Sequence, residues 1–391
     1  MKAVVLVGGT GTRLRPLTLT VPKQVLPIVE VPMIERVLAY LAGHGVDEAV
    51  LSLGYLHGAF EALFPDGRCG DVHLSYAVEP EPLDTAGAVG FAARYAGIAE
   101  RFIVVNGDIL TDLDVTAMLA FHERSGAQAT ISLARVADPS AFGLVPIDGQ
   151  GKVVAFVEKP APGALGPSGP LSGGLGPSGP LSGGLGPSGP LSGRRGPSLV
   201  NAGTYVLEPS VLDHIPEGRR VSIEREVFPG LANAGALYGF DSPDYWTDTG
   251  TPLQYLQAQL DLISGRRPGP PAPGARSGAN GTWTVGTADF GASVQGPSLV
   301  GDGAWVAADA SVETSVIGAG CRIHPGARVV ESVLLPFAEV GKGAVVDHSI
   351  VGRAAQIGHG AEVTGTSVLG DDYVVEPGTV LDGARLPAGP Q

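Results

Sequence analysis

Only two cysteines, Cys69 and Cys321, occur in 391 residues. They give no disulfide framework and no zinc spacing, a usage that suits a reducing cytoplasm. Positive charge is also short: 25 Lys and Arg stand against 39 Asp and Glu, a net of −14. That balance argues against nucleic acid or an anionic membrane as the main partner. No apolar run approaches the ~20 residues of a membrane span. The N-terminal apolar run is too short for a signal-peptide core and breaks at Gly8. A cytoplasmic protein is expected.

What is present is ordinary in bulk and specific in detail. Hydrophobic residues make up 44 %, as in a globular protein, and the length predicts two or three domains. Up to residue 160, strand-like runs (3–7, 49–53, 73–78, 102–106, 129–136, 153–157) alternate with helical patterns (34–43, 86–95, 115–124). This predicts an α/β domain with a mostly parallel, Rossmann-like sheet, whose ligands sit outside the carboxyl ends of the strands. A strand at 199–207 and helices at 223–232 and 252–263 complete a domain of residues 1–264. Residues 161–198 interrupt it with a Gly, Pro and Ser decapeptide repeat, which is expected to be a disordered insert. A partner-binding polyproline II segment is the other reading.

Residues 265–282 read as a linker. Beyond them, Ser298, Ser315, Ser332, Ser349 and Ser367 each open a Ser-aliphatic-aliphatic triplet, at steps of 17, 17, 17 and 18 residues. Aliphatic residues fall about six apart within each step. The pattern predicts a hexapeptide parallel β-helix over residues 283–391.

The first strand runs into Gly8-Gly9-Thr10-Gly11-Thr12-Arg13-Leu14-Arg15. A dinucleotide fingerprint would need glycine at Leu14, and a P-loop would need Lys-Ser or Lys-Thr after Arg13. Both fail. The glycines still allow backbone N–H groups close to an anion, and the arginines carry the right sign for phosphate. A tight turn with solvated arginines is the alternative.

Pro22-Lys23, Asn106-Gly107-Asp108, Glu158-Lys159-Pro160, Asn201-Ala202-Gly203 and Trp246-Thr247-Asp248-Thr249-Gly250-Thr251-Pro252 follow in order. Taken singly, Asp108 also reads as a helix cap, Glu158-Lys159-Pro160 as a surface turn and Trp246 as plain core. Together with the opening loop they resemble the nucleotide-sugar pyrophosphorylases, the sugar-1-phosphate nucleotidyltransferases, over residues 1–262. A C-terminal left-handed β-helix is similar to theirs. Glu81–Gly87 and Ser222–Pro229 resemble the mannose-1-phosphate guanylyltransferases, whereas Pro22–Ile28 resembles the thymidylyltransferase branch.

The resemblance implies transfer of a nucleotidyl group from an NTP to a sugar 1-phosphate, with GTP and mannose 1-phosphate favoured and pyrophosphate released. Glucose 1-phosphate with dTTP or UTP, or a non-catalytic regulatory paralogue, are the alternatives. It places the NTP phosphates on Gly8, Gly9, Gly11 and Thr12, and the nucleoside beside Glu79, Pro82 and Gly87. Arg13 and Lys23 would act on the reacting phosphates. Lys159 would hold the sugar phosphate and Glu158 a sugar hydroxyl, with Gly143 and Asn201 beside them. Asp108 and Asp248 would share one Mg²⁺. Asp84 departs from the resemblance, standing where those proteins carry glycine. His324, His348 and His359 read as solvated positions on the β-helix. Self-association through the β-helix is expected.

Overall fold

The structure is a computed structural model that describes residues 1–54, 56–159, 197–291 and 293–388. Apart from Pro197 and Ser198, the expected insert lies outside the described residues. Four parallel strands form the centre of the first sheet: β1 (Lys2–Leu6), β2 (Glu48–Leu53), β3 (Val72–Val78) and β4 (Phe102–Asn106), in the order β4-β1-β2-β3. Val4 sits in register with Val50 on one side and Val104 on the other, and all three are almost fully buried. Helices cover both faces, so β1, β2 and β4 are nearly continuous buried runs, while β3, with exposed His73 and Val78, is mixed.

Beyond β4 the sheet changes sense. Strand β5 (Ser198–Leu207) runs antiparallel to β4 and pairs with β6 (Ala129–Val136), which carries β7 (Leu237–Asp241) on its far edge. Sequence periodicity placed the elements it named within two residues, with two exceptions, and did not name β7. It missed at Val153–Val157, where only Val153 bridges to Ile147 and only Val157 enters a strand. The Asp148 carboxylate accepts the Gln150 and Lys152 N–H groups there, and Gly151 turns the chain at φ 82°. The helix expected over 223–232 is also divided, into a π turn at Ile223–Val227 and an α-helix at Phe228–Asn233. Pro229 has no N–H to return to Arg225, which interrupts the α register.

The C-terminal domain is a three-sided parallel β-helix. Leu299, Val316, Val333, Ile350 and Val368 stack in register, one per coil, an arrangement consistent with the left-handed form. Its interior is aliphatic: Val300, Ile317, Leu334, Val351 and Leu369 are fully buried. The stacked serines are buried as well. The hydroxyls of Ser298, Ser315 and Ser332 each accept the N–H of the serine one coil on, at 3.2, 3.1 and 3.0 Å.

One face of the β-helix is not free. Leu299, Val316, Val333, Ile350 and Val368 point outward from the coils, yet share a core with Tyr255 and Leu256 of the helix Pro252–Ile263. The stretch expected to be a linker is strapped down too. Arg267 pairs with Asp112, the Pro271 carbonyl accepts from Arg36 at 2.6 Å, and Ala272 is 2 % exposed. Two polar contacts reach further into the first domain. Glu30 accepts the Ala319 N–H at 3.0 Å, and Arg385 donates to the Arg13 carbonyl at 2.7 Å.

Candidate functional site

The glycine loop leaves the carboxyl end of β1 in a shape that needs its glycines. Gly9 has φ 124° and Gly11 φ 58°, values an L side chain resists. A Cβ on Gly11 would also press on Thr18, whose hydroxyl donates to the Gly11 carbonyl at 2.8 Å. Leu14 closes the following turn as a buried anchor, 1 % exposed. A third glycine there would forfeit that anchor, which is why the dinucleotide pattern fails.

Two cavities open beside this loop. The first, about 360 Å³, is lined by Gly8, Gly9, Glu79, Pro82, Asp84 and Thr85. The second, about 590 Å³, is lined by Arg13, Asp108, Gly143, Glu158, Lys159, Asn201 and Asp248, with Thr85 and Glu224. Thr85 belongs to both and marks their seam. The residues expected around nucleoside and sugar phosphate therefore separate into two adjoining spaces, with the paired aspartates in the second. Gly11, Thr12, Lys23 and Gly87 line neither cavity. Gly87 packs instead. A Cβ there would lie 2.8 Å from the Arg219 carbonyl, and its N–H bonds to Val221.

Asp108 follows β4, and Asp248 ends a short strand, Trp246–Asp248, that pairs antiparallel with Ile109–Thr111. The Asp108 carbonyl accepts the Thr249 N–H and hydroxyl, which fixes one aspartate against the other's loop. Burial, then the like charge of Asp108, push the Asp248 carboxyl above the usual carboxylate range, against the pull of the Gly250 N–H, Lys23 and Arg13. Lys23 lies on the Asp108 carboxylate as a close ion pair, both side chains 15 % exposed. Two neighbouring carboxylates, one of them strained by the other's charge, fit a hard divalent cation. Among the described residues no cluster of three or more His, Cys, Asp or Glu forms a full cage. Such a cation would draw its remaining ligands from phosphate and water.

Glu158 pairs across Gly143, where a Cβ would meet the Phe156 ring at 2.8 Å and the Glu158 carboxylate at 3.0 Å. Burial, then Glu224, raise the Glu158 carboxyl, opposed by Lys159 and Arg225. Lys159 is 62 % exposed, its Nζ 3.9 Å from Glu158. Asn201 opens a bulge in β5: its side-chain Oδ1 accepts the Gly203 N–H at 2.9 Å, and Gly203 takes φ 75° where a Cβ would strike Ile109. Trp246 donates to the Ala202 carbonyl at 2.8 Å and stacks edge-on with Phe142.

Glu79 is not loose in solvent. Ser52 donates to one carboxylate oxygen at 3.1 Å and the Leu83 N–H to the other at 2.9 Å, so it also staples the segment 79–83. Asp84 has φ 62°, which supplies the reason glycine suits that place. Thr85 and Glu224 were not singled out from sequence. They meet across 139 residues, and the Glu81–Gly87 and Ser222–Pro229 motifs contained them without giving either a role. On the β-helix, His324 and His348 pair with Glu339 and Glu331. Among the described residues no helix is long and apolar enough to cross a membrane.

Comparison with known proteins agrees with this geometry. Residues 2–265 match the family described as nucleotidyl transferase, and residues 294–388 match the GMPPB C-terminal domain. Over 318 residues the chain is 36 % identical to a mannose-1-phosphate guanylyltransferase of Mycobacterium tuberculosis, covering 80 % of this chain and 79 % of that protein. It is 35 % identical over 271 residues to a mannose-1-phosphate guanyltransferase of Schizosaccharomyces pombe, covering 68 % and 66 %. Among solved structures, HddC from Yersinia pseudotuberculosis complexed with GMP-PN superposes with a TM-score of 0.52 at 27 % identity, over 67 % of this chain and 99 % of that one.

Proposed function

The chain belongs to the nucleotidyl transferase family, and from that premise we propose that it joins GTP to mannose 1-phosphate, releasing pyrophosphate and forming GDP-mannose. The observation that supports this reading is the larger cavity, which gathers Arg13, Asp248 and the Lys23-paired Asp108 beside the space lined by Gly8, Gly9 and Glu79. The names of its relatives favour guanine and mannose.

A sugar phosphate with a second pKa of about 6 is already ionised at neutral pH, so the attack on the α-phosphorus needs no general base. The task left to the protein is positioning and charge neutralisation. The glycine loop presents backbone N–H groups to the triphosphate. Arg13 neutralises charge that builds on the leaving pyrophosphate. Lys159 holds the sugar phosphate, and Glu158 accepts a sugar hydroxyl. Asp108 and Asp248 would hold a Mg²⁺ ion, which when bound supplies positive charge to the phosphates. Lys23 holds the Asp108 carboxylate in place.

Glu79 reads the base. A carboxylate only accepts hydrogen bonds, and guanine offers two adjacent donors, N1–H and the N2 amino group. Each Glu79 oxygen already takes one donor from the protein, which aims the group and leaves further lone pairs for the base. The test is pyrophosphate release across GTP, ATP, UTP and dTTP against mannose and glucose 1-phosphates. Preference for GTP with mannose 1-phosphate is the expected result. Equal use of dTTP or UTP would remove the base assignment, and release from no pair would remove the reaction.

A further inference from the structure

The Ser222–Pro229 motif has no role in the account so far, yet it puts a side chain into the larger cavity. Glu224 lines that space with Glu158, Gly143 and Asn201. It projects from the π turn Ile223–Val227, a wide turn of the kind that often marks functional positions. Its carboxylate is aimed. Oε2 accepts from the Thr85 hydroxyl at 2.7 Å and from the Ser222 hydroxyl at 2.8 Å. Thr85 Oγ1 in turn accepts the Ile223 N–H at 2.9 Å, which leaves its proton for Glu224. Oε1 takes no hydrogen bond among the described residues.

Two carboxylates, Glu158 and Glu224, thus face one half-buried space. Acceptors held in this way are costly without donors, and a phosphate cannot supply them. Ring hydroxyls can, since each carries one O–H. Besides the paired Asp108 and Asp248, the cavity carries cations at Arg13 and Lys159 and acceptors at Glu158 and Glu224. A ligand that bears both a phosphate and ring hydroxyls matches that lining. We propose that Glu224 is a specificity-determining residue for the sugar, accepting one ring hydroxyl while Glu158 accepts another, with Thr85 and Ser222 as its positioning residues. The inference rests on the reaction proposed above.

Glu224→Gln keeps the shape and an amide oxygen for Thr85 and Ser222, but turns the free acceptor into a donor. Glu224→Asp keeps the charge and withdraws it from the cavity. Pyrophosphate release is measured for wild type and both variants with the preferred sugar 1-phosphate and its 2-, 3- and 4-deoxy forms. The expected result is a KM for the sugar 1-phosphate raised roughly tenfold to a hundredfold, with the KM for the NTP unchanged. One of the three deoxy sugars should also lose its disadvantage in the variants. Equal rises for both substrates, or all three deoxy sugars keeping their disadvantage, overturn the role of Glu224. A wild-type enzyme silent on every pair overturns instead the reaction on which the inference depends.

Discussion

Replacing Asp84 by glycine should make this protein more stable, against the usual direction of a glycine substitution. Asp84 sits at φ 62° at the start of the helix Asp84–Tyr95. An L residue in that region bears about 1–2 kcal/mol of steric cost. Glycine removes it and gives back roughly 0.5–1 kcal/mol through its freer unfolded state. The net gain is about 0.5–1 kcal/mol, because the Asp84 side chain is exposed and makes no hydrogen bond among the described residues. For a domain of this size the melting temperature should rise by about 1–4 °C, measurable by calorimetry. Two controls isolate the cause. Asp84→Ala, which keeps a Cβ and loses the tolerance of aspartate for this conformation, should melt below wild type. Asp84→Asn should melt close to wild type, yet share with Asp84→Gly a lower KM for the NTP, since both remove a negative charge from the wall of the first cavity. If Asp84→Ala were as stable as Asp84→Gly, backbone strain would not be the reason glycine suits this position.

Other consequences are open to similar measurement. Asp108→Asn and Asp248→Asn should each abolish Mg²⁺-dependent turnover with the fold intact, and near-normal activity in either would sink the metal assignment. Because the folded-state pKa of Asp248 is raised, its ionisation lowers stability as pH rises from the unfolded carboxylate value through the folded one. Metal-free Asp248→Asn should therefore melt above metal-free wild type at neutral pH. Saturating Mg²⁺, worth about 2.7 kcal/mol at a hundred times its Kd, should raise the wild-type melting point at pH 7 and not that of Asp248→Asn; an equal rise in both would place the ion elsewhere. Arg385→Ala should lower kcat about threefold to tenfold, on the scale of one ordinary exposed hydrogen bond to the Arg13 carbonyl, with little change in melting temperature; unchanged kcat would show that the contact is idle. Residues 283–391 are expected to hold copies of the chain together, and a monomer by light scattering would refute this.

Much of the site was legible because its side chains stand just past strand ends, where a short motif and its neighbouring apolar run declare each other. Asp108 after Phe102–Asn106 is the plainest case. A glycine in sequence does not say whether a ligand or a neighbouring backbone needs the space; at Gly87 the carbonyl of Arg219 stands close. Glu224 and Thr85 escaped because their meaning lies in a contact between distant segments. The stretch read as a linker shows a related effect. Gly and Pro in 265–282 describe how the segment would behave alone, while Arg267 and Pro271 find fixed partners in Asp112 and Arg36.

The serine column lets the β-helix serve as a calliper. Each coil repeats the hydrogen bond of the one before, so a whole coil inserted in mid-stack would satisfy itself. Between Ser349 and Ser367 the extra residue is absorbed by Gly365 and Thr366, both at positive φ, and the Ser367 N–H turns to Thr364 instead. The rung after it is regular, with Ala384 N–H on the Ser367 hydroxyl at 2.9 Å. Stacking alone would thus tolerate a drifting number of coils. The jaws do not. One closes at Ala319 on the Glu30 loop and the other at Arg385 on the Arg13 carbonyl. A coil added between them would carry Arg385 about 4.8 Å away along the stack, beyond reach of the loop it touches. The length of this domain is therefore gauged by the two loops it spans, and changes in coil number should be confined to positions outside that interval.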